Sequence, residues 1–206
     1  MIRLLEPTAG SIFFEGQDLL ACQKNELILL RRQMQIVFQD PLASLNPRKT
    51  ILESLGEVML LHQVADRENM ADKVAGILEL VGLSADAMGR YPHAFSGGQQ
   101  QRICIGRAIS LSPKFLILDE AVSALDISVQ AQVLNLLMEL KERLSLSYLF
   151  ISHDLSVVRH IADRVAVMQR GKIVEEGETD ALFSSPKDPY TKKLLDAIPS
   201  MYPHKK

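Results

Sequence analysis

The sequence predicts an α/β fold, with a parallel sheet covered by helices and an inserted helical subdomain. From residue 115 onward, short apolar runs alternate with helical patterns, which is typical of parallel strands joined by crossover helices. A helical block over residues 41–110 separates these strands from two earlier strand candidates. The chain has 206 residues, of which 47% are hydrophobic and 23% are charged, so it is long and apolar enough to bury a core.

The first residues predict the end of a helix. Residues 1–5 resemble a last helical turn, and they are followed by Pro7 and Gly10, which are residue types that end helices. A helix end is an unusual beginning for a domain, so we expect the start of the domain to be missing from this chain.

Two strands are expected before the helical block. Residues 11–15 form a short β-type run closed by Gly16, and residues 34–38 form an apolar run that stops before Pro41. We expect both strands to join one sheet. Beyond Pro41, the apolar residues that recur at helical spacing are Ile51, Leu55, Val58, Val74, Ile77, Leu78 and Val81.

The second half of the chain predicts alternating strands and helices that end in a hairpin. Its apolar runs are far too short to span a bilayer, and they are interpreted as buried strands. The expected order is a strand over residues 115–118, a helix over 128–144, a strand over 148–151, a helix over 155–161, a strand over 165–168 and a turn at 170–172.

Composition restricts the classes of function. A formal net charge of −2 argues against broad nucleic-acid binding, and without a membrane-spanning run any membrane role is expected to be peripheral. Cys22 and Cys104 lack the close Cys/His spacing of a zinc site. They are interpreted as reduced, mostly buried thiols of a cytosolic protein.

Two acids, Asp119 and Glu120, end the apolar run that begins at residue 115. They are expected at the carboxyl edge of a parallel strand, where open α/β sheets bind their ligands. The first acid suits a magnesium-bound water, and the second is placed to polarise a water that attacks a γ-phosphate. A strand end followed by an acidic turn is the structural alternative.

A capping box is formed by Ser96 and, three residues later, Gln99. Gly97 and Gly98 allow a ligand to approach the backbone closely, and the amides of the first helical turn form an anion site. By itself, the same pattern also fits an ordinary capped helix with a Gly-Gly entry.

Two further polar residues follow strand candidates. His153 comes just after the run at residues 148–151, at the sheet edge expected for the acid pair. Ser152, His153 and Asp154 are adjacent in sequence, and therefore they cannot converge as a hydrolase triad. Gln39 ends an earlier strand and is interpreted either as a ligand of a metal or water or as a solvated turn residue.

No Gly-Lys-Ser or Gly-Lys-Thr triplet occurs in this sequence, so the glycine-rich loop and lysine that cradle phosphates are absent from it. Gly171 and Lys172 are no substitute, because no Ser or Thr follows them and they open a strand. The acid pair and the capped helix start thus represent half of a phosphate site.

In order and spacing, these motifs resemble the ATP-binding subunit of ATP-binding cassette transporters over nearly the whole chain. The resemblance implies a P-loop NTPase-like fold whose N-terminal strands and Walker A loop are missing here. The matching motifs are the Q-loop at residues 37–41, the signature at 96–99, the Walker B strand at 115–120, the D-loop at 123–126 and the H-loop at 152–154.

Flanking segments are similar to those of the oligopeptide, dipeptide and nickel importers. These segments are residues 44–48, after the Q-loop, and residues 188–195, near the end of the chain. Phe95 stands before the signature, where leucine is commoner. Residues 203–206 carry no cysteine cluster of the kind that some members of this branch have.

The resemblance implies that ATP and Mg²⁺ bind between two subunits arranged head to tail. Within one subunit, Asp119 would hold Mg²⁺ and Glu120 would be the general base. His153 would contact the γ-phosphate. Gln39 would reach the metal and couple the site to the membrane subunit.

The same resemblance assigns the signature to the opposite nucleotide. Ser96, Gly97, Gly98 and Gln99 would clamp the ATP held by the second subunit, and Asp126 would communicate across the interface. The implied partners are transmembrane permease subunits and a second ATP-binding subunit, with no nucleic acid. The implied location is the inner face of the cell membrane.

We expect four segments along the chain. They are a remnant of the N-terminal core with the Q-loop at residues 1–40, a helical signature subdomain at 41–110, an α/β core with the Walker B, D-loop and H-loop motifs at 111–180, and an importer-type extension at 181–206.

Three hypotheses of function follow. The first is an N-terminally incomplete copy of an importer ATPase that hydrolyses ATP to take up peptides or a similar small solute such as nickel. The second is a non-catalytic partner that lends its signature helix to an intact ATPase. The third is a soluble cassette ATPase of DNA repair or translation, against which the near-neutral charge and the importer-like flanks argue.

Overall fold

The computed structural model describes residues 2–197, which fall into two compact units, Met1–Leu149 and Phe150–Lys206. Met1 and residues 198–206 lie outside the described residues. The latter include residues 203–206, where the sequence has no cysteine cluster, and the end of the expected importer-type extension. In the first unit the elements are β1 (Phe13–Phe14), β2 (Gln17–Asp18), α1 (Lys24–Gln33), β3 (Met34–Val37), α2 (Pro41–Ser44), α3 (Ile51–Leu61), α4 (Met70–Leu80), α5 (Gly97–Ile109), β4 (Phe115–Asp119) and α6 (Ile127–Arg143). Strand β5 (Ser147–Ile151) spans the boundary, and the second unit continues with α7 (Leu155–Ile161), β6 (Arg164–Gln169), β7 (Lys172–Glu178), α8 (Thr179–Ser184) and α9 (Pro189–Asp196).

A three-stranded sheet with the order β3-β4-β5 supports the acid pair. Strands β3 and β4 run parallel, with Val37 opposite Leu118. Leu116, Ile117 and Leu118 are all buried, as expected for a parallel strand that is covered on both faces. The register brings the carboxyl ends of β3 and β4 to the same edge, which confirms the strands predicted at residues 34–38 and 115–118.

The N-terminal hairpin differs from the sequence-based expectation. Strand β1 pairs antiparallel with β2 in a separate two-stranded sheet, so the prediction that residues 11–15 join the same sheet as β3 was wrong. The reason is local: Glu15 (φ 50°) and Gly16 (φ 77°) both adopt positive φ, as a two-residue hairpin turn requires.

The predicted helix end at residues 1–5 was also wrong. Arg3 has a φ of 56°, in the left-handed region, which breaks a right-handed helix at that residue. The segment is held by side chains instead, because the Arg31 guanidinium donates to the carbonyl oxygens of Ile2 (2.9 Å) and Arg3 (2.5 Å).

The helical block is confirmed as helical between residues 41 and 110. Helix α3 begins with a capping box formed by Thr50 and Glu53. Its Leu55 is fully buried, as are Leu78 of α4 and Ile103 of α5. The helices belong to the same compact unit as the three-stranded sheet, and the four-segment division of the chain stays a prediction.

The second unit is a helix followed by a hairpin. Strands β6 and β7 pair antiparallel, and Arg170 (φ 49°) and Gly171 (φ 79°) form the predicted turn. On β7, the Glu175 carboxylate accepts the backbone amides of Lys187 (2.8 Å) and Asp188 (3.1 Å), which anchors the segment before α9. Within residues 2–197, no helix is long and apolar enough to cross a membrane.

Candidate functional site

The acid pair lies at the carboxyl end of β4, as predicted. Asp119 is the last residue of the strand, and Glu120 follows with a φ of 49°. A left-handed residue other than glycine costs about 1–2 kcal/mol, so the surrounding turn must hold it. The Glu120 carbonyl oxygen accepts hydrogen bonds from the Ser123 amide (3.0 Å) and the Ser123 hydroxyl (2.9 Å).

Gln39 is connected to this turn through Ser123. Its Nε2 donates to the Ser123 Oγ at 3.2 Å, and that Oγ lies 3.5 Å from Oε2 of Glu120. The tertiary structure therefore brings together Gln39 and Glu120, two residues that the sequence singled out on different strands. Sequence reasoning missed Ser123 as the link, although its position three residues after Glu120 is typical of a serine turn.

The segment after Gln39 is a short helix that is tied to α5. The Asp40 carboxylate caps α2 by accepting the Ala43 amide at 3.1 Å. From α5, the Cys104 thiol donates to the Pro41 carbonyl oxygen at 3.6 Å, and the Arg107 guanidinium donates to the Ser44 carbonyl oxygen. Burial raises the pKa of the Cys104 thiol to about 11, so this group stays protonated and donates at neutral pH.

The capping box predicted at the start of α5 is present. The Gln99 amide donates to the Ser96 Oγ (3.4 Å), and the Ser96 amide donates to the Gln99 side-chain oxygen (3.0 Å). Ser96, Gly97 and Gln99 are exposed, whereas Gly98 is buried. An added Cβ on Gly98 would lie 2.2 Å from Cγ1 of Val129, so Gly98 serves packing against α6.

Residues just before the signature are held by two side chains. Gln100, which is buried, donates from Nε2 to the carbonyl oxygens of Pro92 and Phe95, both at 3.0 Å. The Arg90 guanidinium lies 4.3 Å from the centroid of the Phe95 ring and donates to the Ala94 carbonyl oxygen. The segment that leads into Ser96 is therefore held by Gln100 at its backbone carbonyl oxygens and by Arg90 at the Phe95 ring.

Asp126 is the N-cap of α6. Its carboxylate accepts the Val129 amide (3.0 Å) and the Ser128 hydroxyl (2.8 Å). These two hydrogen bonds lower the pKa of the Asp126 carboxyl below its usual value. The structure gives Asp126 a capping role, and its predicted part in an interface stays a prediction.

His153 lies in the second unit, between β5 and α7, and it is exposed. Its neighbours have local tasks: the Ser152 Oγ accepts the Asp154 amide (3.0 Å), and the Asp154 carboxylate caps α7 at the Ser156 amide (2.9 Å). Both side chains serve the backbone, which agrees with the exclusion of a hydrolase triad. The role of His153 stays a prediction.

Comparison with known proteins decides the family. The profile of the family described as "ABC transporter" matches residues 1–123, which is more than half of the chain. The chain belongs to the ABC transporter family. A second profile, "Oligopeptide/dipeptide transporter, C-terminal region", matches residues 174–206.

Relatives of this ABC protein include named importer subunits. It is 50% identical over 199 residues to the dipeptide transport ATP-binding protein DppF of Haemophilus influenzae, covering 97% of this chain and 61% of DppF. It is 50% identical over 203 residues to the glutathione import ATP-binding protein GsiA of Escherichia coli, covering 98% of this chain and 33% of GsiA. The chain therefore spans less than two thirds of these relatives.

Solved structures confirm the ABC ATPase fold. CbiO1 from Clostridium perfringens, part of the ABC transporter complex cbiONQ, matches with a TM-score of 0.79 and 25% identity, covering 89% of this chain and 72% of cbiO1. The ATP-binding cassette MJ0796, a dimer bound to ADP and phosphate, matches with a TM-score of 0.74 and 26% identity, covering 86% of this chain and 77% of that structure. The predicted P-loop NTPase-like α/β class is confirmed, and the family binds nucleotide.

Gln39, Asp119 and Glu120, with Ser123 between them, form the candidate nucleotide site of this chain, called the ABC site. Its donor atoms fit Mg²⁺. A carboxylate oxygen of Asp119 and the amide oxygen of Gln39 are hard ligands at one sheet edge, and Mg²⁺ is commonly held by one or two carboxylates plus substrate phosphates. Across the described part of the chain, no group of three or more His, Cys, Asp and Glu residues forms a complete metal cage. The oxygen donors of Asp119 and Gln39 suit a metal ion that phosphate oxygens also bind.

A cavity of about 690 Å³ lies apart from these residues. It is lined by residues at the start of β4, including Phe115, and by Lys114, whose Nζ is 2.6 Å from the Glu15 carboxylate. Gln39 and Glu120 are not among its lining residues. The polar groups of the ABC site are thus outside this cavity, at the opposite end of β4.

Proposed function

We propose that this protein is the ATP-binding, ATP-hydrolysing subunit of an ABC importer for peptides or a similar small solute such as nickel. The connection from Gln39 through Ser123 to Glu120, beside Asp119, carries the proposal. It places an amide and two carboxylates at the carboxyl edge of a parallel sheet, where nucleotide ligands bind. The relatedness to DppF and GsiA supports an importer of peptide-like solutes.

Each candidate residue has a separate task in the proposal. Asp119 and Gln39 would hold Mg²⁺, which would neutralise charge on the phosphate oxygens. Glu120, whose backbone is left-handed, accepts the proton of the attacking water. His153 donates a hydrogen bond to the γ-phosphate.

The signature acts on the nucleotide of a second subunit. Ser96 and Gln99 cap each other, and the first helical turn leaves the Gly97 and Gly98 amides without intrahelical acceptors. These amides and the helix N-terminus favour a phosphate. Asp126 shapes the same interface by capping α6, whose Val129 contacts Gly98.

The proposed partners follow from the same assignment. They are two permease subunits in the membrane and a second ATP-binding subunit, and nucleic acid is not among them. The protein would act from the cytoplasmic face of the membrane. We propose that Gln39 and α2 form the segment that contacts the permease. Cys104 and Arg107 of α5 hold α2 in place.

One alternative has its own supporting observation. The signature cap is complete, while the printed sequence contains no Gly-Lys-Ser or Gly-Lys-Thr triplet. The chain would then lend Ser96 and its neighbours to the ATP of an intact partner without hydrolysing ATP itself. A soluble ABC ATPase of DNA repair or translation has no such support, and the importer-type profile at residues 174–206 favours transport.

Two substitutions in the importer, purified with its permease, distinguish these functions. In the leading proposal, Glu120→Gln lowers ATP hydrolysis by at least about 100-fold while ATP binding is retained, because the general base is lost. Ser96→Arg also lowers hydrolysis. Ser184→Ala, which removes a hydroxyl from α8, keeps wild-type turnover.

The alternative predicts a different pattern. If Ser96→Arg stops hydrolysis but Glu120→Gln leaves it unchanged, the chain only lends its signature. If neither substitution changes hydrolysis, both proposals fail.

A further inference from the structure

The Ser123 hydroxyl lies between two side chains that belong to different parts of the ABC site. Its Oγ is 3.2 Å from Nε2 of Gln39, which follows β3, and 3.5 Å from Oε2 of Glu120, which follows β4. The serine is partly buried, whereas Gln39 is exposed. No other residue is needed to join the two side chains.

The hydrogen-bonding capacity of a serine restricts how this link works. A hydroxyl has one proton to donate and two lone pairs to accept. The Gln39 amide occupies a lone pair, and the proton is directed to the Glu120 carbonyl oxygen at 2.9 Å. At 3.5 Å, Oε2 of Glu120 is at the outer limit of a hydrogen bond and within one rotation of the same hydroxyl.

The backbone of Ser123 also contacts Glu120. The Ser123 amide donates to the Glu120 carbonyl oxygen at 3.0 Å, so one residue satisfies that carbonyl twice. This double contact supports Glu120 in its left-handed conformation. The direction of the Glu120 side chain therefore depends on where Ser123 lies.

We propose that Ser123 is a positioning residue that transmits the position of Gln39 to the carboxylate of Glu120. Gln39 orients the Ser123 hydroxyl, and the hydroxyl and amide of Ser123 orient Glu120. Displacement of Gln39 releases the hydroxyl and moves the carboxylate relative to the attacking water. The inference rests on the proposed role of Glu120 as general base.

A double-mutant cycle in the importer purified with its permease tests this link. Ser123→Ala is expected to lower kcat for ATP hydrolysis about tenfold with little change in KM, because orientation of the base is lost while nucleotide binding is kept. Ser123→Thr, which keeps the hydroxyl, restores most of kcat. Ser184→Ala is the matched control, since its hydroxyl also donates to a carbonyl of its own helix, that of Asp180 at 2.7 Å.

Gln39→Glu is the second substitution of the cycle. Gln39 is exposed, so this change does not put folding at risk. It replaces the donor by an acceptor of the same shape. It is expected to lower kcat in the wild type and to lower it by a clearly smaller factor in the Ser123→Ala background, where only the proposed Mg²⁺ and permease contacts of Gln39 remain to be lost. Coupling of this kind is not produced by a loss of stability.

Three outcomes overturn the inference. In the first, the effects of Gln39→Glu and Ser123→Ala on kcat are independent, so that their free energies add. In the second, Ser123→Thr is as slow as Ser123→Ala. In the third, the loss of kcat is matched by a rise in KM. If Glu120→Gln is inactive but the cycle is additive, only the role of Ser123 is lost. If Glu120→Gln retains hydrolysis, the proposed function fails first.

Discussion

Gly98 of α5 lies directly against Val129 of α6, so that a Cβ on Gly98 would be 2.2 Å from the Val129 Cγ1. Gly98 is the second residue of α5, and Val129 is the third residue of α6. The starts of the signature helix and of the helix capped by Asp126 are therefore packed together. Gly98 therefore has a packing function in addition to the ligand approach that sequence analysis predicts for it.

Gly98→Ala is expected to destabilise the protein by about 1–3 kcal/mol, because a methyl group and a β-branched side chain cannot share this space. Urea unfolding gives the change in the free energy of unfolding. Val129→Ala in the same chain removes the clashing Cγ1 and should recover at least half of the loss. A Gly98→Ala variant as stable as wild type would contradict the packing role.

Gly97→Ala is expected to separate structure from function. An added Cβ there lies 3.7 Å from the Leu125 Cδ2, an ordinary contact, so the free energy of unfolding should change by less than about 0.5 kcal/mol. Gly97 is exposed at the helix start, where the proposal places the partner's phosphates. ATP hydrolysis by the assembled importer should fall at least tenfold, and unchanged hydrolysis would argue against that placement.

The stacking of Arg90 on Phe95 should be measurable as a coupling energy. The exposed Arg90 guanidinium lies 4.3 Å from the centroid of the buried Phe95 ring, which predicts a coupling energy of about 0.5–2 kcal/mol. A double-mutant cycle with Arg90→Met and Phe95→Leu, followed by thermal unfolding, gives this value. The Phe95→Leu variant should retain ATPase activity, since leucine keeps an apolar residue before Ser96, and zero coupling would exclude the interaction.

Cys104 should make stability depend on pH in the alkaline range. Burial raises the pKa of its thiol from 9.0 to about 11, so the folded state keeps the proton that the unfolded state releases. This contribution is complete below pH 9 and is lost as the pH rises to 11. Its full size, for a shift of two pKa units, is about 3 kcal/mol.

Cys104→Ala provides the comparison for this pH effect. Its free energy of unfolding should decline less than that of the wild type between pH 9 and 11, as measured by denaturant unfolding at each pH. The same decline in both proteins would show that other groups cause it.

Local sequence signals predicted most of the elements. The capping box of Ser96 and Gln99 formed because both partners lie within one helical turn. The apolar run of β4 and the turn at Arg170 and Gly171 were predicted for similar reasons. A local signal failed at residues 1–5, where Pro7 and Gly10 indicated a helix end but Arg3 has a left-handed backbone.

The site was predictable only in its parts. Gln39 and Glu120 were recognisable as polar residues after strands, but their link through Ser123 depends on the parallel register of β3 and β4. The contact of Cys104 with Pro41 also joins residues far apart in the chain. Such contacts follow from packing of whole elements, which single-residue patterns do not encode.

The sequence by itself determined the order of the strands and helices, the cap at Ser96 and the acids after β4, because these depend on neighbours within a few residues. Only the tertiary structure decided that Gly98 packs against Val129 and that Ser123 stands between Gln39 and Glu120. Burial and close packing act between elements that are distant in sequence, so they assign roles that the same residues do not reveal in the chain alone.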